Sequence, residues 1–180
     1  SAWGDLLTAY DGQSITYDEI GNPISYYNGT RWTLTWEHGG QLASMTRGSK
    51  TWTNTYNANG LRTKRTDGSV TFTYYYVGDK LTQVYINGIA AQLIYDASGS
   101  PLAVRYNGVM YYYVTNLQGD VIAILDTGGT AVVEYTYDAW GKILATTGSM
   151  ASTLGIHNPL RYRGYVYDQE TGLYYLQSRY

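Results

Sequence analysis

An all-β fold of stacked antiparallel hairpins is predicted by three observations. The composition is strand-forming, short runs alternate strictly between polar and apolar, and one turn signal returns about every twenty residues. Tyrosine supplies 22 of the 180 residues and Gly 21, against three Pro, one Phe and no Cys. Tyr, Thr, Trp and Val favour pleated strands, while Gly and Asn favour turns. No sustained 3.6-residue apolar period runs along the chain.

The strands can be justified in order. Arg31-Trp32-Thr33-Leu34-Thr35-Trp36 places Trp32, Leu34 and Trp36 on one face and Arg31, Thr33 and Thr35 on the other. Val70-Thr71-Phe72-Thr73-Tyr74 and Val133-Glu134-Tyr135-Thr136-Tyr137 follow the same rule. Between such runs stand Asn28-Gly29, Asp67-Gly68, Asn87-Gly88 and Asn107-Gly108. These dipeptides tolerate the positive φ angles of a type I′ turn, whose twist suits a hairpin. In the triplets Tyr74-Tyr75-Tyr76 and Tyr111-Tyr112-Tyr113, one face is expected to be buried and the phenols on the other exposed; a sugar-stacking platform is the alternative.

A frame of aromatic or Thr, polar residue, two variable residues and Gly recurs along the chain. It begins with Tyr17-Asp18-Glu19-Ile20-Gly21, Trp36 to Gly40, Tyr56-Asn57-Ala58-Asn59-Gly60 and Tyr74 to Gly78. Tyr95-Asp96-Ala97-Ser98-Gly99, Thr115 to Gly119 and Tyr137-Asp138-Ala139-Trp140-Gly141 continue it, and Tyr167-Asp168 to Gly172 is a copy longer by one residue. The Asp is expected to bind main-chain N–H groups two residues on, with Gly taking the left-handed corner. Each unit then reads strand, tight turn, strand, Tyr-Asp turn. A unit of about twenty residues cannot bury a face alone, so stacking into a continuous sheet of about sixteen short strands is expected.

Composition and motifs exclude several functions. Charged residues are only 14 % and the net charge is -2, which offers no field for nucleic acid. The absence of Cys rules out a disulfide scaffold and a Cys-type zinc site. The longest aliphatic run, Val121 to Leu125, is too short for a membrane helix, and no signal peptide opens the chain. His38 and His157 stand far apart, without the spacing of a metal site. Ser98-Gly99-Ser100 and Gly128-Gly129 lack the strand–loop–helix setting of a phosphate loop. Asp120, Asp126 and Asp138 lack EF-hand spacing. No cofactor and no metal are expected.

The repeated Tyr-Asp-x-x-Gly resembles the YD-repeat, or RHS-repeat, family, and the C-terminal stretch sharpens the likeness. Asn158-Pro159-Leu160-Arg161-Tyr162-Arg163-Gly164-Tyr165-Val166-Tyr167-Asp168, continuing through Gly172, Leu173, Tyr175, Arg179 and Tyr180, is similar to the start of the RHS repeat-associated core domain. The resemblance divides the chain into repeats over 1–156 and the beginning of the core over 157–180. It implies a curved, spiralling sheet, an arc of a hollow β-shell. Family members include polymorphic toxins, cocoon subunits of insecticidal toxin complexes, and teneurins.

By the same resemblance the chain is a structural segment of a large secreted or surface protein. It would enclose or scaffold a toxin-like C-terminal domain, with the other repeats and that domain as its partners. The family core normally runs beyond Tyr180 and in several members is a self-cleaving aspartic protease. Asp168 is therefore a catalytic candidate in the parent, with its partner carboxylate lying downstream. Arg161, Arg163 and Arg179, interleaved with Tyr162, Tyr165 and Tyr180, are expected to stack on phenols, pair with Asp168 or Glu170 and fix the core to the sheet.

Two further expectations concern surfaces. Open sheet edges make edge-to-edge self-association plausible. Tyr is expected to replace Phe because a hydroxyl keeps rings wettable on a sheet with two watered faces. A carbohydrate- or cell-wall-binding aromatic repeat is the competing reading of the whole chain; the Tyr-Asp-x-x-Gly frame argues against it.

Overall fold

The computed structural model describes residues 6–10 and 12–177. The chain is all-β and forms two compact units, one built from residues up to Thr71 and the other from Phe72–Leu176. Arg179 and Tyr180 of the C-terminal motif lie outside the described residues.

In the first unit β1 (Ala9–Tyr10) and β2 (Gln13–Ser14) pair with each other. A meander follows through β3 (Ser25–Tyr27), β4 (Arg31–Glu37), β5 (Gln41–Arg47), β6 (Lys50–Tyr56) and β7 (Arg62–Thr66), each antiparallel to its predecessor. Trp32 and Leu34 are buried while Arg31, Thr33 and Thr35 are exposed, so the alternation of β4 is realised. Met45 and Trp52 join the same apolar face, opposite Leu34 and next to each other across the ladder. Arg65 lies 4.2 Å over the Trp52 ring and Arg47 lies 4.9 Å over Trp32, so guanidinium groups cover the indoles.

The second unit contains β8 (Thr71–Val77), β9 (Lys80–Ile86), β10 (Ile89–Tyr95), β11 (Pro101–Tyr106), β12 (Val109–Thr115), β13 (Val121–Leu125), β14 (Ala131–Tyr137) and β15 (Ile143–Thr147). These strands also pair in chain order, antiparallel throughout. Beyond them come a single helical turn α1 (Leu154–His157), a 3-10 turn at Tyr162–Gly164 and the hairpin of β16 (Val166–Asp168) and β17 (Leu173–Tyr175). Leu81, Val84, Leu93, Val104, Val121, Ile124, Val133 and Tyr135 form the buried face, and Leu154, Leu160 and Tyr175 are buried with them. The tyrosine triplets divide as alternation requires. Tyr74 and Tyr111 are buried, whereas Tyr75 and Tyr112 are exposed.

The frame loops share one geometry. Asp18 Oδ1 accepts the main-chain N–H of Ile20 and Asn22, and the Gly21 N–H donates to the Asp18 carbonyl. Asn57, Asp96, Asn116 and Asp138 repeat this pattern with the residues two and four positions on and with Gly60, Gly99, Gly119 and Gly141. Asp126 does the same with Gly128, Thr130 and Gly129. The repeated-frame reading passes over this loop because Leu125 stands where Tyr is expected. The Gly after each pair has a φ between 78° and 91°, which a Cβ would strain.

Four turn expectations are corrected. Asn87 and Asn107 do take positive φ, each at 48°, ahead of Gly88 and Gly108, as a type I′ turn requires. Asn28 and Asp67 do not, and only the glycines after them are left-handed. At Asp67 the reason is an Asx turn: its carboxylate accepts from the Ser69 and Val70 N–H groups and pairs with Lys50 at 2.6 Å. In the frame from Trp36, the left-handed residues are His38 and Gly39 rather than Gly40. Gly78 opens a two-residue hairpin turn, where Val77 faces Lys80, rather than closing an Asx loop.

A β-bulge coincides with the first position of five frames, whereas in the frame from Tyr74 it falls at Tyr75/Tyr76. Register shifts fall at Thr35/Trp36, Thr55/Tyr56, Ile94/Tyr95, Val114/Thr115 and Thr136/Tyr137, and also at Ile124/Leu125 ahead of the Asp126 loop. A bulge interrupts the hydrogen-bond ladder. The frame side chain then reaches one hairpin back to a main-chain carbonyl. Tyr56 donates to Leu42, Tyr95 to Leu81 and Tyr137 to Val121, at 2.9, 2.7 and 2.7 Å. Trp36 makes the same link through its indole N–H to the Pro23 carbonyl at 2.7 Å.

These latches give a second reason for Tyr over Phe. At Tyr56, Tyr95 and Tyr137 the hydroxyl donates to a main-chain carbonyl, whereas Tyr75, Tyr85 and Tyr112 are exposed. Burial raises the Tyr137 and Tyr174 phenols well above their ordinary range and pushes Tyr95 up to about 12.

Tyr95→Phe leaves the Leu81 carbonyl without its donor and is expected to cost about 1–2 kcal/mol, read from urea unfolding. The Tyr95 hydroxyl ionises at higher pH in the folded chain than in the unfolded one. Its contribution is complete below about pH 10 and is lost as pH rises towards 12. The alkaline limb of the stability curve is therefore expected to be shallower in Tyr95→Phe than in the native chain.

Candidate functional site

The chain leaves β15 at Gly148, where φ is 104° and a Cβ would stand 2.4 Å from the Val132 carbonyl oxygen. Only Gly lets the backbone pass this close to β14. The Met150 N–H then binds the same Val132 carbonyl at 2.9 Å, which sets α1 against the sheet. A helix of one turn leaves its last carbonyls without intrahelical donors.

Arg161 supplies those donors. Its side chain is 1 % exposed, and its guanidinium donates to the carbonyls of Gly155, Ile156, Asn158 and Leu160. Its Cζ lies 4.3 Å from the Tyr135 ring centroid and 5.9 Å from that of Tyr167. Among the described residues Arg161 Nε has no partner. For Arg161 the expected pairing with Asp168 or Glu170 and stacking on Tyr162 or Tyr165 give way to carbonyl binding and to Tyr135 and Tyr167, while Arg163 keeps the expected place over Tyr162. The reason is local: the open carbonyls of α1 are a few residues away, and a planar fork of donors matches them.

Three phenols from the sheet meet the same segment. Tyr135 donates to the Gly155 carbonyl at 2.9 Å, Tyr113 to Asn158 Oδ1 at 2.6 Å, and the Tyr106 hydroxyl lies 2.7 Å from His157 Nδ1. Burial pushes the Tyr113 and Tyr135 phenols up and pulls His157 down, so all three groups are favoured in their neutral forms. Asn158 in turn donates to the Leu160 carbonyl at 2.7 Å.

The main chain docks as well. The Val121 N–H binds the Arg161 carbonyl at 3.1 Å, close to the bulge of β12 and β13. Arg163, held at φ 52°, directs its N–H to Asp120 Oδ1 at 2.9 Å, and Asn116 holds the other carboxylate oxygen at 2.6 Å. The Arg163 side chain is exposed and lies 5.3 Å from the Tyr162 ring. A Cβ on Gly141 would meet the Tyr162 ring at 2.6 Å, so the frame glycine also serves as a seat. Tyr162 and Tyr174 donate to the carbonyls of Ala139 and Gly141 and clasp the Asp138 loop.

The remaining motif residues sit around this centre. The Pro159 carbonyl accepts the Tyr167 N–H at 2.9 Å, Gly164 has φ 69°, and Leu173 faces Asp168 in the terminal hairpin. The Asp168 carbonyl receives the N–H groups of Thr171 and Gly172 at 3.1 and 2.8 Å, and its carboxylate is buried at 1 % exposure. The sequence reading did not assign these roles to Asp120, Tyr135, Tyr113, Asn158 or Gly155. Tyr135 stood on an alternating strand, Tyr113 in a tyrosine triplet and Asn158 at the head of the C-terminal motif, whereas Asp120 and Gly155 carried no signal for the site. The arrangement ties a returning segment to the buried face of a sheet and spends its donors on main-chain carbonyls.

Arg161→Met takes the guanidinium from the Ile156 and Asn158 carbonyls and leaves those of Gly155 and Leu160 to Tyr135 and Asn158 alone, and is expected to cost about 3 kcal/mol in urea unfolding of the chain. Arg161→Lys keeps the charge but not the fork, and should recover less than half of that loss.

The teneurin YD-shell model matches residues 79–180, more than half of the chain. The tRNA(Glu)-specific nuclease WapA of Bacillus subtilis subsp. natto is 53% identical over 70 residues, 39% of this chain and 3% of that protein. The tRNA nuclease WapA of Bacillus subtilis strain 168 is 51% identical over 70 residues, again 3% of its own length. Among solved structures, TcdB2-TccC3 without its hypervariable C-terminal region is similar with a TM-score of 0.60 at 19% identity, over 80% of this chain and 8% of that one. TcdB2-TccC3 itself gives 0.59 at 19% identity, over 83% and 8%. The chain therefore spans a small fraction of the proteins it resembles. With the family's model covering most of its second unit and the C-terminal segment, the chain belongs to the teneurin YD-shell family.

Proposed function

We propose that this chain is a wall segment of a β-shell that encloses a C-terminal domain of its parent protein. The observation that carries the reading is the return of residues 148–176 onto the buried face of the sheet, fastened by Arg161 and by the hydroxyls of Tyr106, Tyr113 and Tyr135. A wall whose inner face holds a folded-back segment is suited to holding cargo there. The structural likeness to TcdB2-TccC3 and the sequence likeness to the WapA proteins support a large, toxin-related parent acting outside the cell or at its surface. Residues 157–180 are read as the start of the core that closes the shell. The segment itself is read as non-enzymatic, and nuclease activity, where the parent has one, would belong to another part of it.

Limited proteolysis of the full-length parent tests the reading. The C-terminal domain should resist protease in the intact protein and become at least tenfold more sensitive when residues 79–176 are deleted. Equal sensitivity in both proteins would overturn it.

A second reading rests on the burial of Asp168. An aspartic protease needs a carboxylate held in a water-poor setting beside a second one. In this reading Asp168 contributes one carboxylate to a self-cleaving core completed downstream. Asp168→Asn in the full-length parent should then abolish processing while leaving the melting temperature within a few degrees. Unchanged processing in that variant sinks the assignment.

A further inference from the structure

The exposed face of the second unit carries a ladder that shell building does not use. Tyr75 faces Gln83, Gln83 faces Gln92, and Gln92 faces Arg105, one residue from each of β8, β9, β10 and β11. The four stand in register across three strand spacings, roughly 14 Å. Tyr75 is 49 % exposed, and Gln92 and Arg105 are exposed beside it. Tyr85, at 38 % exposure, meets the Tyr75 ring edge to face with centroids 6.0 Å apart. Across from Tyr85 stands Ala90, which is too small to cover the ring. Gln92 Nε2 donates to Gln83 Oε1 at 3.1 Å, which leaves the Gln83 amide donors and the Gln92 carbonyl oxygen facing outward. Arg105 has no ion-pair partner among the described residues.

We propose that this ladder binds a linear glycan carrying carboxylate groups, laid across the strands. A pyranose ring presents apolar C–H groups on one face and hydroxyls around its rim. The phenol faces suit the former, and two amides at fixed spacing suit the latter, because an amide both donates and accepts. Roughly 14 Å of ladder accommodates about three linked sugars. Arg105 stands at the far end of the row from the phenols, and its fork pairs best with a carboxylate. A single-stranded nucleic acid would ask for cations along the row, and Arg105 is the ladder's sole cation. The edge-to-face packing of Tyr75 and Tyr85 also leaves no parallel slot for a base.

The test is titration of the 180-residue chain, followed by NMR chemical shifts, with tetragalacturonic acid, with cellotetraose as the neutral control, and with an oligo-dT of matching length. Shifts should cluster on residues 75, 83, 85, 92 and 105 with the acidic sugar, and cellotetraose should bind about tenfold more weakly. Arg105→Gln should bring the two sugars to equal affinity. Tyr75→Ser should weaken both about fivefold, and Tyr75→Phe should restore them. Because these residues are exposed, unchanged melting curves are expected for all three variants. The proposal is overturned by an absence of shifts at millimolar sugar, by binding indifferent to Tyr75 and Arg105, or by tighter binding of oligo-dT. None of these outcomes bears on the shell reading, which rests on the opposite face.

Discussion

The interaction on which the structure depends is a hydrogen bond from a frame aromatic to a main-chain carbonyl one hairpin back. A meander built from twenty-residue units has to break its ladder once per unit in order to turn through an Asx loop, and each break opens main-chain groups to the interior. A buried carbonyl without a donor costs about 1–3 kcal/mol. Tyr56, Tyr95 and Tyr137 close that gap with a hydroxyl on Leu42, Leu81 and Val121, and Trp36 closes it with an indole N–H on Pro23. Phe has no such donor, which accounts for Tyr rather than Phe at these three frame positions.

The same economy explains the C-terminal segment. A one-turn helix has carbonyls that nothing inside it can satisfy, and a buried guanidinium is costly unless its donors are used. Each problem offsets the other when Arg161 lies under α1. The aromatic floor of Tyr135 and Tyr167 then replaces part of the water that the cation gave up. The repeat strands and the C-terminal segment therefore share a device. Main-chain carbonyls in both are bound by phenol, indole or guanidinium donors.

Much of this was legible in the residues, and the boundary is physical. Alternation of Trp32 and Leu34 reports a face directly, because side-chain direction in a strand is set by the backbone. The Asp or Asn and the Gly of the frame report a loop because both act within five residues. What stayed hidden are contacts between distant positions. Nothing local in Tyr113 or Asn158 reveals that they meet across 45 positions, and nothing in Asp120 reveals that it holds the Arg163 N–H. The Asp126 loop escaped for another reason. Its frame carries Leu125 in place of Tyr, so a search keyed on the aromatic passes over a loop that Asp126 and Gly129 define without it.

The division of labour between the two faces of the second unit follows from the latch. Because frame tyrosines point their hydroxyls inward to carbonyls, the rings that remain outside, Tyr75, Tyr85 and Tyr112, have no structural bond that fixes their identity. Substitution there perturbs little of the fold, so the exposed face is free to carry recognition while the buried face carries assembly. A repeat can thus change its exposed face without changing the hydrogen bonds of its buried one. The inner donors admit less freedom: losing the hydroxyl of Tyr95 takes a donor from the Leu81 carbonyl, and losing the fork of Arg161 takes one from the Ile156 and Asn158 carbonyls.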